Sequence, residues 1–261
     1  MSDDLMEAAR AWPIWLRLGL RDVRSGFHRS ALGFGWILVN FATTLVAVGV
    51  IYGVLLGQPV RDFLPFLAAG LVVWLYLTSS VVEGSCAFVA SEGYIKQIGI
   101  TPYVYVLRSF VSISFRMLTC LLAFAALAAL MRVGFGRGVV WALPGLLLLC
   151  GVSLLLITIF AHLNARFRDA SHAAALCLQT LFYVTPVLWP AEMLRGRSRA
   201  LGWVVDLNPL YHLLEVVREP LLHSRPASAA SYGAAGLLLV GLALAALYLT
   251  RRFHRRLAYL L

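Results

Sequence analysis

Residues 24–40 read "RSGFHRSALGFGWILVN": a basic, polar stretch set directly against the start of a long apolar run. Arginines placed beside a segment suited to hydrocarbon need a reason. A helix starting near Pro13, a favoured first-turn residue, puts Arg10, Arg17, Arg21, Arg24 and His28 in one sector at about 100° per residue. Trp12, Leu16, Leu20, Val23 and Phe27 then fall opposite. That is a basic amphipathic helix lying flat in the membrane interface, turning at residues 30–35 into a membrane span. A plain positively charged flank with no other duty is the alternative.

Composition fixes the class. Of 261 residues, 61% are hydrophobic and 13% charged, against about 25% charged in soluble domains. A mean hydropathy of +0.84 agrees. The fold expected is an all-α polytopic membrane protein. The net charge of +10 suits residues that flank spans and face an anionic leaflet; no nucleic-acid-binding motif accompanies it. Cys86, Cys120, Cys150 and Cys177 are scattered in apolar surroundings, as small hydrophobes rather than a disulfide or zinc framework. The acidic N-terminus has no apolar core before a cleavage site, so no signal peptide is expected.

A helix crossing a bilayer needs about 20 apolar residues. Six segments qualify: 34–56, 63–82 (continuing to 90), 109–130, 139–163, 173–188 and 232–249. The domain expectation is an N-terminal interface helix, 1–33, and a six-span transmembrane domain, 34–261. Pro186 and Pro190 should end the fifth span early. Even span number puts both termini on one side. Arg10, Arg17, Arg21, Arg24, Arg29, Lys96, Arg108, Arg166, Arg168, Arg251, Arg252, Arg255 and Arg256 collect there, so that side is expected to be cytoplasmic. The loop at 91–107 starts amphipathic, is too short to span and is stopped by Pro102. It reads equally as a connecting loop or as an interfacial helix shown to a cytoplasmic partner. Residues 189–222 suit short helices dipping back from the outer side, with a turn at Asn208–Pro209, tolerated where protein or water surrounds them.

Several chemistries are missing from these residues. The single lysine, Lys96, lies in "GYIKQ", so no G-x-x-x-x-G-K-[ST] loop exists to hold a nucleotide. No metal or hydrolase motif occurs, and no catalytic residue is assigned. Glu83 and Arg116 are the ionisable residues nearest span interiors. Glu83 fits interface depth, and Arg116 either snorkels or pairs with it. Aromatics near the spans, including Trp36, Tyr52, Trp74, Tyr76, Phe182, Tyr183 and Trp189, suit interface belts or the lining of a path for sugar rings.

The stretches "RDVRSGFHRSALGFGWILVN" (21–40), "EGYIKQIGITPYVYVLR" (92–108), "YVTPVLWPAEML" (183–194) and "LNPLYHLLEVVRE" (207–219) resemble the permease subunits of ABC exporters for O-antigen, capsule and teichoic acid. The family's Asn-Pro pair in the first span is here Asn40-Phe41, which puts a proline kink there in doubt. The resemblance implies a pore of two copies of this chain in the inner membrane, with two ATPase subunits beneath supplying ATP and magnesium chemistry. It implies that Glu92, Gly93, Tyr94, Ile95, Lys96, Arg17 and Arg21 contact that ATPase. Arg21, Arg24 and Arg29 would attract the pyrophosphate of a polyprenyl-linked glycan, and Trp36, Tyr52, Trp74, Tyr76, Phe182 and Tyr183 would line the glycan path. Trp189, Asn208, Pro209, Glu215 and Arg218 would belong to an outer gate. A permease for another lipid or a drug is the nearest alternative. A membrane enzyme using Asp22, Glu83, Asp169 and His172 is a more distant one.

Overall fold

The computed structural model describes residues 2–26, 30–55, 57–97, 100–132, 136–196, 198–253, 257 and 261, helical with no strand among them. Two short helices lead, α1 (Ser2–Arg10) and α2 (Trp12–Ser25). Then come α3 (Gly35–Leu55) and α4 (Val60–Val82), followed by 3-10 turns at Gly84–Cys86 and Val89–Ser91 and by α5 (Glu92–Gln97). The chain continues through α6 (Tyr103–Leu130), a 3-10 turn at Arg137–Trp141, α7 (Ala142–Arg166) and α8 (Ala170–Val184). Short helices α9 (Glu192–Arg195) and α10 (Arg199–Asp206) precede α11 (Pro209–His223) and α12 (Ala229–Phe253).

Five of these stretches are long and apolar enough to cross a membrane: Gly35–Leu55, Val60–Cys86, Tyr103–Leu130, Gly138–Arg166 and Ala229–Phe253. Where no water reaches the backbone, a helix satisfies its own peptide groups. The fifth expected crossing is shorter than this. α8 has 15 residues, roughly 22 Å at 1.5 Å per residue, against a hydrocarbon core of about 30 Å. It ends at Val184 with Thr185 extended (φ −84°, ψ 138°), as the residue before a proline favours. The expected loop at 91–107 is also cut short. Pro102 caps α6, which begins at Tyr103 because Tyr103–Val106 are buried beside the leading helices. α6 therefore runs 28 residues, roughly 42 Å.

α4 is the centre. Leu67, Ala68, Ala69 and Val73 have no exposed surface, while α3, α6, α7, α8 and α11 pack around it. Small residues let backbones meet, as in membrane bundles generally. A Cβ on Gly145 of α7 would stand 2.1 Å from the Val216 carbonyl oxygen of α11. Buried hydroxyls join three helices: Tyr76 of α4 shares a hydrogen bond with Ser114 of α6 at 2.9 Å, and Ser80 of α4 with Ser153 of α7 at 2.6 Å.

The bundle has two distinct ends. At the near end the last turn of α7 meets the end of α4, where Asn164 Nδ2 donates to the Ser85 carbonyl at 3.2 Å. Ala8 and Trp15 of the leading helices and Thr250 of α12 line one cavity there, so the leading helices and the end of α12 share this end. At the far end Arg61 Nε donates to the Met131 carbonyl at 3.1 Å, joining the start of α4 to the end of α6. Tyr232 at the start of α12 donates to the Trp141 carbonyl at 3.2 Å.

Candidate functional site

The near end assembles three sequence-distant pieces. α2 lies against α6, with Gly19 and Val23 buried. Gly19 is required there: a Cβ would stand 2.8 Å from both the Arg108 carbonyl oxygen and Val111 Cβ. A bidentate ion pair locks the contact, Arg108 Nε to Asp22 Oδ2 at 2.5 Å and Nη2 to Oδ1 at 2.7 Å. Trp15 Nε1 donates to the Ala8 carbonyl at 3.0 Å and ties α2 to α1. Trp12 and Leu20 are exposed, as are Arg10, Arg17, Arg21 and Arg24 on the basic side. α2 thus has a packed edge, an apolar edge and a basic edge, the form of a helix lying in an interface. Arg29 lies outside the described residues.

α5 occupies the same end and buries none of its residues. Lys96 Nζ donates to Glu92 Oε1 at 2.6 Å, and that hydrogen bond holds the Glu92 carboxyl below its ordinary range. Tyr94 is exposed, with Tyr105 of α6 6.5 Å away between ring centres. A cavity of about 360 Å³ is lined by Arg21 and Leu18 of α2, Tyr94 of α5 and Arg108 of α6. The fold therefore brings Arg21 and Tyr94 together, although 73 positions separate them in the chain. One step deeper, Arg116 of α6 forms a fork with Glu83: Nη1 donates to Oε1 at 2.8 Å and Nη2 to Oε2. Asp22 and Glu83 are thus each held by an arginine. Among the described residues no three His, Cys, Asp or Glu side chains gather as a metal site.

The far end is built on the break after α8. Asn208 caps α11, accepting from Leu210 N at 2.9 Å, and its Nδ2 donates to Thr185 Oγ1 at 2.9 Å. Pro209 opens α11, where its lack of an N–H does no harm. Trp189 Nε1 donates to the Tyr183 carbonyl at 3.4 Å. Arg218, 3% exposed, donates through Nη1 to the Pro186 carbonyl at 2.9 Å and through Nη2 to the Val187 carbonyl at 3.4 Å. Its guanidinium lies 4.1 Å over the Phe66 ring and 3.6 Å from Glu215 Oε1. A Cβ on Gly70 of α4 would meet Arg218 Nη2 at 2.3 Å. Outside the break, Arg195 pairs with Asp206 at 2.5 Å, and that hydrogen bond raises the arginine further above its ordinary pKa. α4, the turn after α6, α9 and α11 line an open cavity of about 770 Å³ here.

The aromatic residues divide. Trp36 and Tyr183 are exposed, and Tyr52 and Phe182 are half-buried. Trp74 and Tyr76 are inside the chain's own core, 5% and 2% exposed. Trp74 packs on Phe182 at 5.4 Å, and Tyr76 is tied to Ser114. The role these two have in this structure is packing.

A family model described as ABC-2 type transporter matches residues 16–222, from the docked helix α2 to the last turn of α11. The chain belongs to the ABC-2 type transporter family. It is 24% identical over 205 residues to the O-antigen export system permease protein RfbA of Klebsiella pneumoniae, covering 74% of each chain. It is 24% identical over 198 residues to the protein of the same name from Myxococcus xanthus, again covering 74% of each. The polysialic acid transport protein KpsM of Escherichia coli is 23% identical over 214 residues, 78% of this chain and 80% of that one. This ABC-2 chain is a membrane-embedded, multi-pass transporter subunit. Its Asp22–Arg108 clamp was not assigned from the sequence, because nothing in a linear reading joins residues 86 positions apart. The Tyr211, Glu215, Arg218, Glu219 and Leu222 face of α11 did carry a signal, its i, i+4 and i+3 spacing.

Proposed function

We propose that this chain is the membrane subunit of an ATP-driven exporter that carries a cell-surface polysaccharide, of the O-antigen kind, across the inner membrane on a polyprenyl pyrophosphate lipid. The single observation that carries this reading is the near-end assembly: an exposed short helix, α5, and an interfacial helix, α2, meet at one cavity in a chain with no nucleotide-binding loop of its own. A permease that does not hydrolyse ATP needs such a surface to receive work from a partner that does. The names of its relatives supply the cargo.

In this scheme two copies of the chain form the pore and two ATPase subunits dock beneath. Glu92, Gly93, Tyr94, Ile95 and Lys96, with Arg17 and Arg21, form the docking surface. ATP-driven closure of the ATPase pair moves that surface and biases the pore between closed and open states. The near end faces the cytoplasm; the excess of arginines there, on α2 and at the ends of α7 and α12, supports that orientation. Arg21, Arg24 and Arg29 draw the pyrophosphate by charge-assisted hydrogen bonds. The broken segment after α8, with Trp189, Asn208, Pro209, Glu215 and Arg218, gates the outer end. Trp36, Tyr52, Phe182 and Tyr183 line the glycan path between two copies; the exposure of Trp36 and Tyr183 supports that part of the reading.

Deleting the chain and staining intact cells for surface polysaccharide tests this directly. Loss of surface glycan, with the polymer retained inside, is expected, and a tagged chain should bring down an ATPase. Replacing Tyr94 and Ile95 with alanine and Lys96 with serine should abolish export while leaving the chain in the membrane. Unchanged surface glycan after deletion overturns the proposal.

A further inference from the structure

The far-end cavity is walled in part by the segment just assigned as a gate, yet its walls carry more chemistry than a gate requires. It has a volume of about 770 Å³, within the roughly 300–1,000 Å³ of small-ligand sites. Asp62, Glu192, Glu215 and Glu219 supply four carboxylates. Arg61, Arg132, Arg218 and Arg225 supply four guanidinium groups. The wall has no net sign.

That balance narrows the ligand. A phosphate or another polyanion meets as much repulsion as attraction. An apolar ligand would take water from the charges and give nothing back. A hydroxyl group both donates and accepts, whereas a carboxylate only accepts and a guanidinium only donates. A wall carrying both therefore satisfies hydroxyls in both of their roles. Phe63, Phe66 and Tyr211 add apolar faces, against which the C–H face of a sugar ring packs.

The polar groups are also held in place. Arg218 is nine-tenths buried or more, fixed by the Pro186 and Val187 carbonyls and seated on Phe66. Its Nε has no hydrogen-bond partner. Glu215 keeps 16% of its side chain exposed and has Arg218 at 3.6 Å, too long for a hydrogen bond. Glu192 reaches Arg195 only at 3.9 Å. Glu215 and Glu192 therefore keep acceptors free, beside a buried guanidinium that holds the wall in place.

We infer that this cavity is a subsite for a short run of neutral sugar residues, engaged as the polymer leaves the outer end. The inference rests on the polysaccharide-export reading for the identity of its cargo. It adds a second glycan contact, one that lies within a single copy of the chain and apart from the path between copies.

The test is saturation-transfer NMR on the full chain in nanodiscs, without ATP or ATPase. The probes are the methyl glycosides of glucose, galactose, mannose and N-acetylglucosamine, with inorganic phosphate as competitor. At least one glycoside should bind, phosphate should not displace it, and Glu215→Gln should weaken binding about ten-fold, as for one hydrogen bond to an ionised group. Glu192→Gln removes an exposed carboxylate that holds no fold together, so its weakening effect is free of any folding defect. No transfer to any glycoside, displacement by phosphate, or binding indifferent to both substitutions overturns the subsite. Export lost on deletion with no glycoside bound removes the subsite and leaves the exporter reading standing. Glycoside bound with export intact on deletion does the reverse.

Discussion

Substituting Asp22→Asn isolates the clamp between the interfacial helix and the bundle. Arg108 donates twice to Asp22, at 2.5 and 2.7 Å, with the two side chains 22% and 31% exposed. Removing one partner of a hydrogen bond to a charged group costs about 1.5–3 kcal/mol. Partial exposure screens the pair and sets the value toward the lower part of that range, about 2 kcal/mol. At 1.4 kcal/mol per factor of ten, α2 should lift from α6 about 30-fold more often. Hydrogen exchange of the full chain in nanodiscs reads this: amides of α2 should exchange about 30-fold faster while those of α4 stay protected. Arg108→Gln should behave alike, and the double substitution should exchange no faster than the worse single one, because both remove the same interaction. Additive effects, or α2 protection indifferent to Asp22→Asn, would show that the clamp does not hold the helix.

Gly145→Ala places a methyl 2.1 Å from a backbone oxygen that cannot rotate away, so a loss of about 3 kcal/mol and a lower melting temperature in detergent are expected. Arg218→Met leaves the Pro186 and Val187 carbonyls without donors; protease cleavage between α8 and α11 should rise at unchanged protection of α3 and α4. Tyr76→Phe deletes the bond to Ser114, and since such interhelical bonds average about 0.6 kcal/mol the melting temperature should barely move. Lys96→Ser removes an ion pair exposed on both sides, so thermal stability should not change, while export and ATPase stimulation should fall.

The membrane class and most helix positions were legible because the signal is one-dimensional. Uninterrupted apolar runs and flanking arginines decide the class, and Pro186 marks the break after α8. What a linear reading could not supply was distance. Arg108 counted only as a flanking charge until the fold set it against Asp22. Trp74 and Tyr76 lie in the core of one copy, which the sequence could not show because an aromatic residue in a span reads the same facing lipid, path or core. α6 began two turns earlier than expected because the apolar count ends at Ser109, whereas the burial of Tyr103–Val106 comes from the leading helices, which that count ignores. At the far end Glu215 and Arg218 share a face by their i, i+3 spacing, but the cavity also needs Arg61 and Asp62 from the start of α4, about 150 positions away.

The uninterrupted course of α6 sets how motion can pass through this molecule. Its 28 residues include neither glycine nor proline, so it has no soft joint. Asp22 grips it at Arg108, five residues above its base, and the Arg61 guanidinium holds the carbonyl of Met131 just past its tip. One unbroken helix thus joins the partner of Asp22 at the near end to Met131, which lines the far-end cavity. Shortening α6 by a single residue would turn those two attachments about 100° out of register.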